Sequence, residues 1–224
     1  MFLDVDFGAG TILASRSGGR GIVLAGQKSS TLWALDADHG GKVLWSRNFG
    51  PGSIVGGIHW GIAYDGQRVF APVSVLPGPD GKVGNGQVAG LHAVDVDTGK
   101  VAWSFEPQPD CSGDRPSRVR NCAGIGLSGA ATVIDGAVFA GSLDGFLRAF
   151  DASTGKLLFQ YDTAREFDTL NGVPGKGGAI DGASIVAANG YVFVNSGYGL
   201  LGGQTPGNVF VAFRPKRGER TAQR

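Results

Sequence analysis

The chain carries one motif three times, as Ala34-Leu-Asp-Ala-Asp-His-Gly-Gly-Lys-Val-Leu-Trp45, Ala93-Val-Asp-Val-Asp-Thr-Gly-Lys-Val-Ala-Trp103 and Ala149-Phe-Asp-Ala-Ser-Thr-Gly-Lys-Leu-Leu-Phe159. The first aspartates of the three copies are 59 and 56 residues apart. A weaker fourth copy, Val209-Phe-Val-Ala-Phe-Arg-Pro215, has arginine where the aspartate would be. A fixed period of this size is typical of a repeat protein, in which each unit buries its apolar surface against the next.

Each repeat divides into short apolar runs that are separated by turn residues, which predicts four strands in a constant order. The predicted first strands are 10–15, 60–64, 129–134 and 183–187, and the second strands are 21–25, 68–73, 137–140 and 191–194. The predicted third strands are 31–35, 90–94, 146–150 and 208–213, and fourth strands begin at 42, 100 and 156. Pairs such as Asp135-Gly136 and Asn189-Gly190, which accept positive φ angles, join first to second strands. The Asp…Gly-Lys turns join third to fourth strands, so their repeated residues are interpreted as structural, and the aromatic residue after each turn as packing between repeats.

Composition supports many short strands and excludes several other classes of protein. Glycine supplies 40 of the 224 residues and charged residues only 17%, a combination that does not fit a disordered chain. The glycines follow no three-residue period, which excludes collagen. A net charge of +1 gives no electrostatic argument for nucleic acid as a partner. No apolar run approaches the roughly 18 residues of a membrane span.

Four antiparallel strands per repeat, stacked around an axis, form the blades of a β-propeller, so we expect an all-β fold. The period exceeds the ~40–45 residues of the WD40 type. The expected blades cover about 8–50, 57–107, 127–163 and 178–213, and the fourth has no fourth strand. Residues 214–224 are strongly basic and are expected to form a solvated tail.

The repeated motif resembles the blade signature of the quinoprotein alcohol dehydrogenases, the propellers that bind pyrroloquinoline quinone (PQQ). Longer strings narrow the resemblance to the polyvinyl-alcohol-dehydrogenase-like branch, and it extends from about Asp4 to Phe213. These strings are Leu24-Ala-Gly-Gln-Lys-Ser29, Gly56-Gly-Ile-His-Trp-Gly61, Asn171-Gly-Val-Pro-Gly-Lys-Gly-Gly178 and Val194-Asn-Ser-Gly-Tyr-Gly199. The resemblance implies a ring of about eight blades, so this chain is expected to be a partial propeller, the C-terminal half. It also implies PQQ and Ca²⁺ as cofactors, a small or polymeric alcohol as substrate, and a cytochrome c as electron acceptor.

The resemblance and the N-terminus point to different compartments. Asp4 and Asp6 stand where a signal peptide would be basic and then apolar, so the chain as it stands is expected in the cytoplasm and a full-length parent in the periplasm. No Cys-x-x-Cys-His haem motif is present. A half ring is expected to be inactive alone. It is also expected either to bind the missing N-terminal blades or to self-associate. The competing hypothesis is a non-catalytic propeller that serves as a scaffold for protein interactions.

The candidate site residues lie in the long connections from fourth to first and from second to third strands, which share one rim of a propeller. His59 and Trp60 open a first strand, where Trp60 could stack on a flat quinone and His59 could donate to its carboxylates; the alternative is ordinary packing. Lys176, among three glycines, would stabilise charge on a reduced quinone oxygen, or it is a solvated loop lysine. Asp181 is a candidate calcium ligand or general base. Arg165 and Asn171 share its connection as further cofactor candidates.

The two cysteines of the chain, Cys111 and Cys122, lie in one long connection. A disulfide between them would close the loop and would require an oxidising compartment, whereas two free thiols would remove that argument for export. A metal site is disfavoured because neither histidine nor further cysteine is near.

Overall fold

The computed structural model describes residues 5–52, 56–75, 89–120, 122–123, 126–199 and 204–215, and almost all regular structure in these ranges is antiparallel β-sheet. The first sheet contains β1 (Ile12–Arg16), β2 (Arg20–Gln27), β3 (Thr31–Asp36) and β4 (Val43–Asn48). The second contains β5 (Ala63–Tyr64), β6 (Arg68–Val73), β7 (Gly90–Asp95) and β8 (Val101–Phe105). The third contains β9 (Thr132–Ile134), β10 (Ala137–Gly141), β11 (Phe146–Asp151) and β12 (Leu157–Asp162). The last contains β15 (Ile185–Ala188), β16 (Tyr191–Ser196) and β17 (Val209–Phe213).

The strands of each sheet pair in chain order, first to second to third to fourth, and the last sheet has three strands within the described residues. This is the arrangement of propeller blades, and the predicted all-β propeller fold is confirmed. The described residues end at Pro215, so most of the tail expected over 214–224 lies outside them.

Turn chemistry sets the register of the sheets. At Asp135-Gly136 the φ angles are 43° and 80°, and at Asn189-Gly190 they are 51° and 76°. Two consecutive positive φ angles define the tight hairpin turn whose twist matches that of the strands it joins. The local sequence therefore fixes which residues of the first and second strands face each other.

Neighbouring sheets are joined by an aromatic residue on the fourth strand of one sheet, which contacts the Asp…Gly turn of the next sheet. The indole Nε1 of Trp45 donates to the carbonyl of Val96, and that of Trp103 donates to the carbonyl of Ala152, each at 2.9 Å. Apolar side chains between neighbouring sheets form the core, which is divided into three clusters. These contacts support the interpretation of the aromatic residues as packing between repeats.

Several local features differ from the sequence-based expectation. The strand expected over 60–64 is reduced to Ala63–Tyr64, and the backbone of Gly61 pairs instead with Gly10 and Ala131 of the neighbouring repeats. Three short elements were not predicted, and all of them lie in long connections where no periodic pattern guides a prediction. They are the helix α1 (Arg115–Arg118) and the hairpin of β13 (Glu166–Phe167) and β14 (Gly175–Lys176).

A disulfide joins Cys111 to Cys122 and closes the connection that carries α1. The Cα atoms of the two residues are 5.2 Å apart, a separation that is usual for this bond. The residues of α1 that contact the third sheet are Arg115 and Arg118.

Candidate functional site

One buried carboxylate, that of Asp181, connects several rim segments. Its Oδ1 accepts hydrogen bonds from the Trp60 indole Nε1 at 2.6 Å, from the Ser128 hydroxyl at 2.5 Å and from the Gly182 amide at 3.0 Å. Its Oδ2 accepts a fourth from the Gln204 amide at 2.8 Å. Trp60 precedes β5, Ser128 precedes β9, Asp181 precedes β15, and Gln204 lies between β16 and β17. The structure thus brings together side chains from the long connections of three sheets at one rim.

The Trp60 indole ring is held on one face as well as at its edge. The imidazole of His59 stacks on it, with ring centroids 4.4 Å apart and an angle of 19° between the planes. His59 is buried and Trp60 is partly exposed. Three of the predicted site residues, His59, Trp60 and Asp181, therefore form one cluster, which we call the inner cluster.

The hydrogen bonds of Asp181 bear on its two predicted chemical roles. An ionised carboxylate has about two acceptor positions on each oxygen, and three of the four described donors share Oδ1 while one binds Oδ2. A calcium ion or a substrate proton at Oδ1 would have to displace one of these donors, whereas Oδ2 accepts from Gln204 alone among the described residues. Within the described ranges, no group of three or more His, Cys, Asp and Glu side chains is placed to hold a metal ion.

A second group of charged residues lines an open cavity of about 580 Å³ beside the β13–β14 hairpin. Lys176 and Arg165 contribute to it from this connection, and the remaining lining residues come from α1 and neighbouring segments. The full set is Asp114, Arg118, Asp162, Arg165, Glu166 and Lys176. We call this group the outer cluster.

Lys176 and Arg165 are the cations of the outer cluster that remain available. Both are exposed, and no carboxylate of the described residues forms an ion pair with either side chain. The Arg165 guanidinium instead lies over the rings of Tyr161 at 5.9 Å and Phe167 at 5.8 Å. Arg118 is already paired with Asp114 at 2.8 Å, and this contact raises the pKa of Arg118. Glu166 stands opposite Lys176 in the β13–β14 register, and the lining holds three carboxylates beside its three cations. The cluster as a whole is therefore electrically balanced, and Arg165 and Lys176 are its cations without an ion pair to a described carboxylate.

Asn171 lies apart from both clusters, at the tip of the β13–β14 hairpin. Its side-chain oxygen accepts hydrogen bonds from the Thr169 hydroxyl at 2.8 Å and the Val173 amide at 3.2 Å. Asn171 therefore shapes the turn that presents Lys176. Its proposed contact with a cofactor stays a prediction.

A buried network of charges under the outer cluster was missed by sequence reasoning. Arg115, in α1, is only 4% exposed. Its Nη1 forms an ion pair with Asp162 Oδ2 at 2.7 Å, but the N–H groups of this nitrogen are not aligned for a hydrogen bond. The same guanidinium donates through Nη2 to the carbonyl of Asp144 at 2.7 Å and lies 4.2 Å from the centre of the Phe146 ring. Because the disulfide closes this connection, it helps to hold Arg115 in the interior.

Arg148, on β11, approaches the same ring from the third sheet. Its guanidinium lies 4.7 Å from the centre of the Phe146 ring, and its Nη1 donates to the Ser142 hydroxyl at 2.9 Å. Burial lowers the pKa of Arg148, and the Asp144 carboxylate at 3.9 Å opposes that effect. A charged residue in the middle of an apolar third strand was the signal for this network, but its partners are remote in sequence.

No helix among the described residues is long and apolar enough to cross a membrane.

Comparisons with known proteins agree with this fold. A family model, PQQ_2, described as outer membrane protein assembly factor BamB, matches residues 5–224. The polyvinylalcohol dehydrogenase of Sphingopyxis sp. (strain 113P3) is 40% identical over 221 residues, which cover 94% of this chain and 33% of that protein. The 1-butanol dehydrogenase (cytochrome c) of Thauera butanivorans is 34% identical over 108 residues, 48% of this chain and 15% of that protein.

A solved structure, the quinohemoprotein alcohol dehydrogenase ADHIIG from Pseudomonas putida HK5, superimposes with a TM-score of 0.57 at 20% identity. The superposition covers 87% of this chain and 29% of that structure, and it supports the fold alone. The chain spans about a third of the length of the Sphingopyxis relative.

Proposed function

We propose that this chain forms part of a quinoprotein dehydrogenase. It belongs to the PQQ-repeat propeller family, which includes the polyvinyl alcohol dehydrogenases. The reaction is the oxidation of an alcohol, polymeric or secondary, with PQQ as the electron-accepting cofactor. The chain alone supplies only part of the blades of such an enzyme and is proposed to be inactive without the rest.

The observation that carries this proposal is that available binding groups lie in the long connections of one rim. The inner cluster offers the indole of Trp60, one face of which is covered by His59. The outer cluster offers Lys176 and Arg165, beside the Glu166 carboxylate that stands opposite Lys176. PQQ is a planar, anionic quinone, so an aromatic face and cations of the same rim fit both of its properties.

PQQ, when bound, accepts the two electrons that leave the alcohol. Trp60 would hold the plane of the cofactor by stacking, and Arg165 would hold an anionic group of it by hydrogen bonds from its guanidinium. Lys176 would place a positive charge near an oxygen that becomes negative on reduction, where a fixed charge is worth most. His59 supports Trp60 from the other side.

We assign no step of the reaction to a calcium ion at Asp181, because three donors share its Oδ1 and no group of three or more His, Cys, Asp and Glu side chains among the described residues is placed to hold a metal ion. A periplasmic location and a cytochrome c as acceptor remain part of the proposal for the complete enzyme, supported by the disulfide and by the naming of the Thauera relative.

The test is a chimera in which this chain replaces the matching third of the Sphingopyxis polyvinylalcohol dehydrogenase, compared with the isolated chain. We expect the chimera to bind PQQ and to oxidise polyvinyl alcohol with an artificial dye as acceptor. Replacing Lys176 with Met should weaken PQQ binding by about tenfold, the equivalent of ~1.4 kcal/mol for one charge-assisted contact. The matched control is Lys156→Met, since Lys156 is an exposed lysine of an Asp…Gly-Lys turn on the other rim.

A properly folded chimera that binds no PQQ would contradict the proposal. Equal losses from Lys176→Met and Lys156→Met would show that overall charge, rather than the outer cluster, attracts the cofactor.

A second candidate function has support of its own. The family model that matches residues 5–224 is described as an outer membrane protein assembly factor, and a solved BamB structure from Moraxella catarrhalis superimposes with a TM-score of 0.52 at 17% identity. The alternative is therefore a non-catalytic scaffold. A chimera that folds and binds no cofactor, together with capture of an unfolded outer-membrane protein by the isolated chain, would favour it.

A further inference from the structure

The Asp181 carboxylate is the meeting point of several rim connections, and we infer that it acts as a positioning residue for the Trp60 indole, and not as a base or a calcium ligand. The inference rests on the proposed function only in assuming that PQQ stacks on Trp60. The contact that carries it, from Trp60 Nε1 to Asp181 Oδ1 at 2.6 Å, joins residues that are 121 positions apart.

The two groups that fix the indole act in different directions. The bond to Asp181 fixes the edge of the ring that carries its N–H group, and stacking on His59 fixes one face. A planar ligand that stacks on Trp60 then uses the opposite face. Because the indole has only one hydrogen-bond donor, loss of the carboxylate removes the hydrogen bond that fixes this edge and leaves the stacking on His59 to hold the ring.

The other tryptophans show that this contact is specific to Trp60. Trp45 and Trp103 donate to backbone carbonyls, each at 2.9 Å, and Trp33 donates to the uncharged amide oxygen of Gln27 at 3.0 Å. Only at Trp60, among the four, does the indole donate to a carboxylate. Hydrogen bonds to an ionised acceptor are shorter and about twice as strong as neutral ones, so this ring is held more firmly than packing requires.

Asp181 is itself held in place by the remaining donors. Ser128 and the Gly182 amide share Oδ1 with Trp60, and Gln204 binds Oδ2. Asp181 is 5% exposed, and this set of donors satisfies a buried charge. The bonds on Oδ1 are those that a positioning residue needs, and a base would have to act through Oδ2, which accepts from Gln204 alone among the described residues.

The variants Asp181→Asn and Asp181→Ala separate the roles. Asparagine keeps an oxygen that accepts from Trp60, and Gln204 can rotate its amide to accept from the new NH₂ group, but an amide is no base. The near-ultraviolet circular dichroism of Trp60 is measured in the full 224-residue chain as the difference between each protein and the same protein with Trp60→Phe. PQQ affinity and dye-linked activity are measured in the chimera.

We expect Asp181→Asn to keep the Trp60 signal and to stay within about threefold of the parent in PQQ affinity and turnover. Asp181→Ala should lose the Trp60 signal and bind PQQ about tenfold more weakly. A binding group that is not held in place must be ordered when the ligand binds, and this ordering reduces the affinity. In the Trp60→Phe background, Asp181→Ala should change PQQ affinity by less than about twofold, because the two changes remove the same contact.

If Asp181→Asn binds PQQ normally but has no turnover, Asp181 is a base and the inference is wrong. An unchanged Trp60 signal in Asp181→Ala would also overturn it.

Hydrogen exchange in the unmodified chain decides the question if Asp181→Ala fails to fold. The indole N–H of Trp60 should exchange more slowly than that of Trp33, and exchange as fast as in free indole would contradict the inference. A parent chimera without PQQ binding would remove the proposed function while leaving the Trp60 measurements to decide the position of the ring.

Discussion

Replacing Gly155 with alanine should destabilise the protein more than the same change at Gly41, although the two glycines occupy equivalent turns. Their φ angles are almost equal, at 73° and 75°, so both substitutions force alanine into a left-handed conformation. That conformation costs about 1 kcal/mol. The difference between the two variants therefore isolates what each glycine touches.

At Gly155 a Cβ atom would lie 2.6 Å from Cδ2 of Trp103, which belongs to the preceding sheet, whereas at Gly41 nothing lies within 4 Å. Separation of the sheets to relieve such a contact costs about 1–3 kcal/mol. We expect Gly155→Ala to lower the free energy of unfolding by about 2–4 kcal/mol and Gly41→Ala by about 1 kcal/mol.

Urea denaturation followed by far-ultraviolet circular dichroism measures both variants against the parent chain. A third comparison is made in a Trp103→Ala background, where the cost of Gly155→Ala should fall to about 1 kcal/mol because only the φ term remains. Equal losses for Gly155→Ala and Gly41→Ala would refute the argument that the aromatic contact joins the sheets.

Replacing Cys111 and Cys122 with serine should lower the free energy of unfolding by about 3 kcal/mol through loss of loop closure, measured by urea denaturation of the double variant; equal stability of the oxidised and reduced parent would contradict this. Arg148→Met should cost about 3 kcal/mol, since it removes one of the buried cations near the Asp144 carboxylate, and a change below about 1 kcal/mol would show that Asp144 is satisfied without it. Asp151→Asn should destabilise at neutral pH but not at pH values well below 2. Hydrogen bonds, the first of them from the Ser153 hydroxyl, lower the pKa of Asp151 from 3.8 to about 2, so its stabilisation is present above 3.8 and is lost as pH falls through about 2; a gap between the two pH–stability curves that persists unchanged at acid pH would count against it.

The sheets were predictable from the sequence because their determinants are local. Second and third strands were placed to within about two residues, since alternation and turn pairs such as Asn189-Gly190 act over a few positions. The strand expected at 60–64 was too long because the backbone of Gly61 pairs with Gly10 and Ala131, which belong to other repeats. The local pattern of the sequence carries no signal for pairing between repeats.

The sequence indicated candidate residues in the rim connections but not their arrangement. The pair His59-Trp60 and the single residue Asp181 were separate candidates, and only the structure shows that they form one cluster, with Ser128 and Gln204 as partners that carry no sequence signal. The charge network of Arg115 was missed because it depends on how a closed loop lies on the third sheet.

The hydrogen bonds of Asp181 also have a consequence for cooperativity. Contacts such as that of Trp103 with the next turn link adjacent sheets only, and arrays with nearest-neighbour links alone can unfold from one end. Asp181 lies in the connection before the last sheet, and its bond to Trp60 reaches the connection before the second sheet. One carboxylate thus links units that are not neighbours in the series. We therefore expect the rim segments of the second, third and last sheets to unfold and refold together, so that their amides exchange hydrogen with solvent at similar rates.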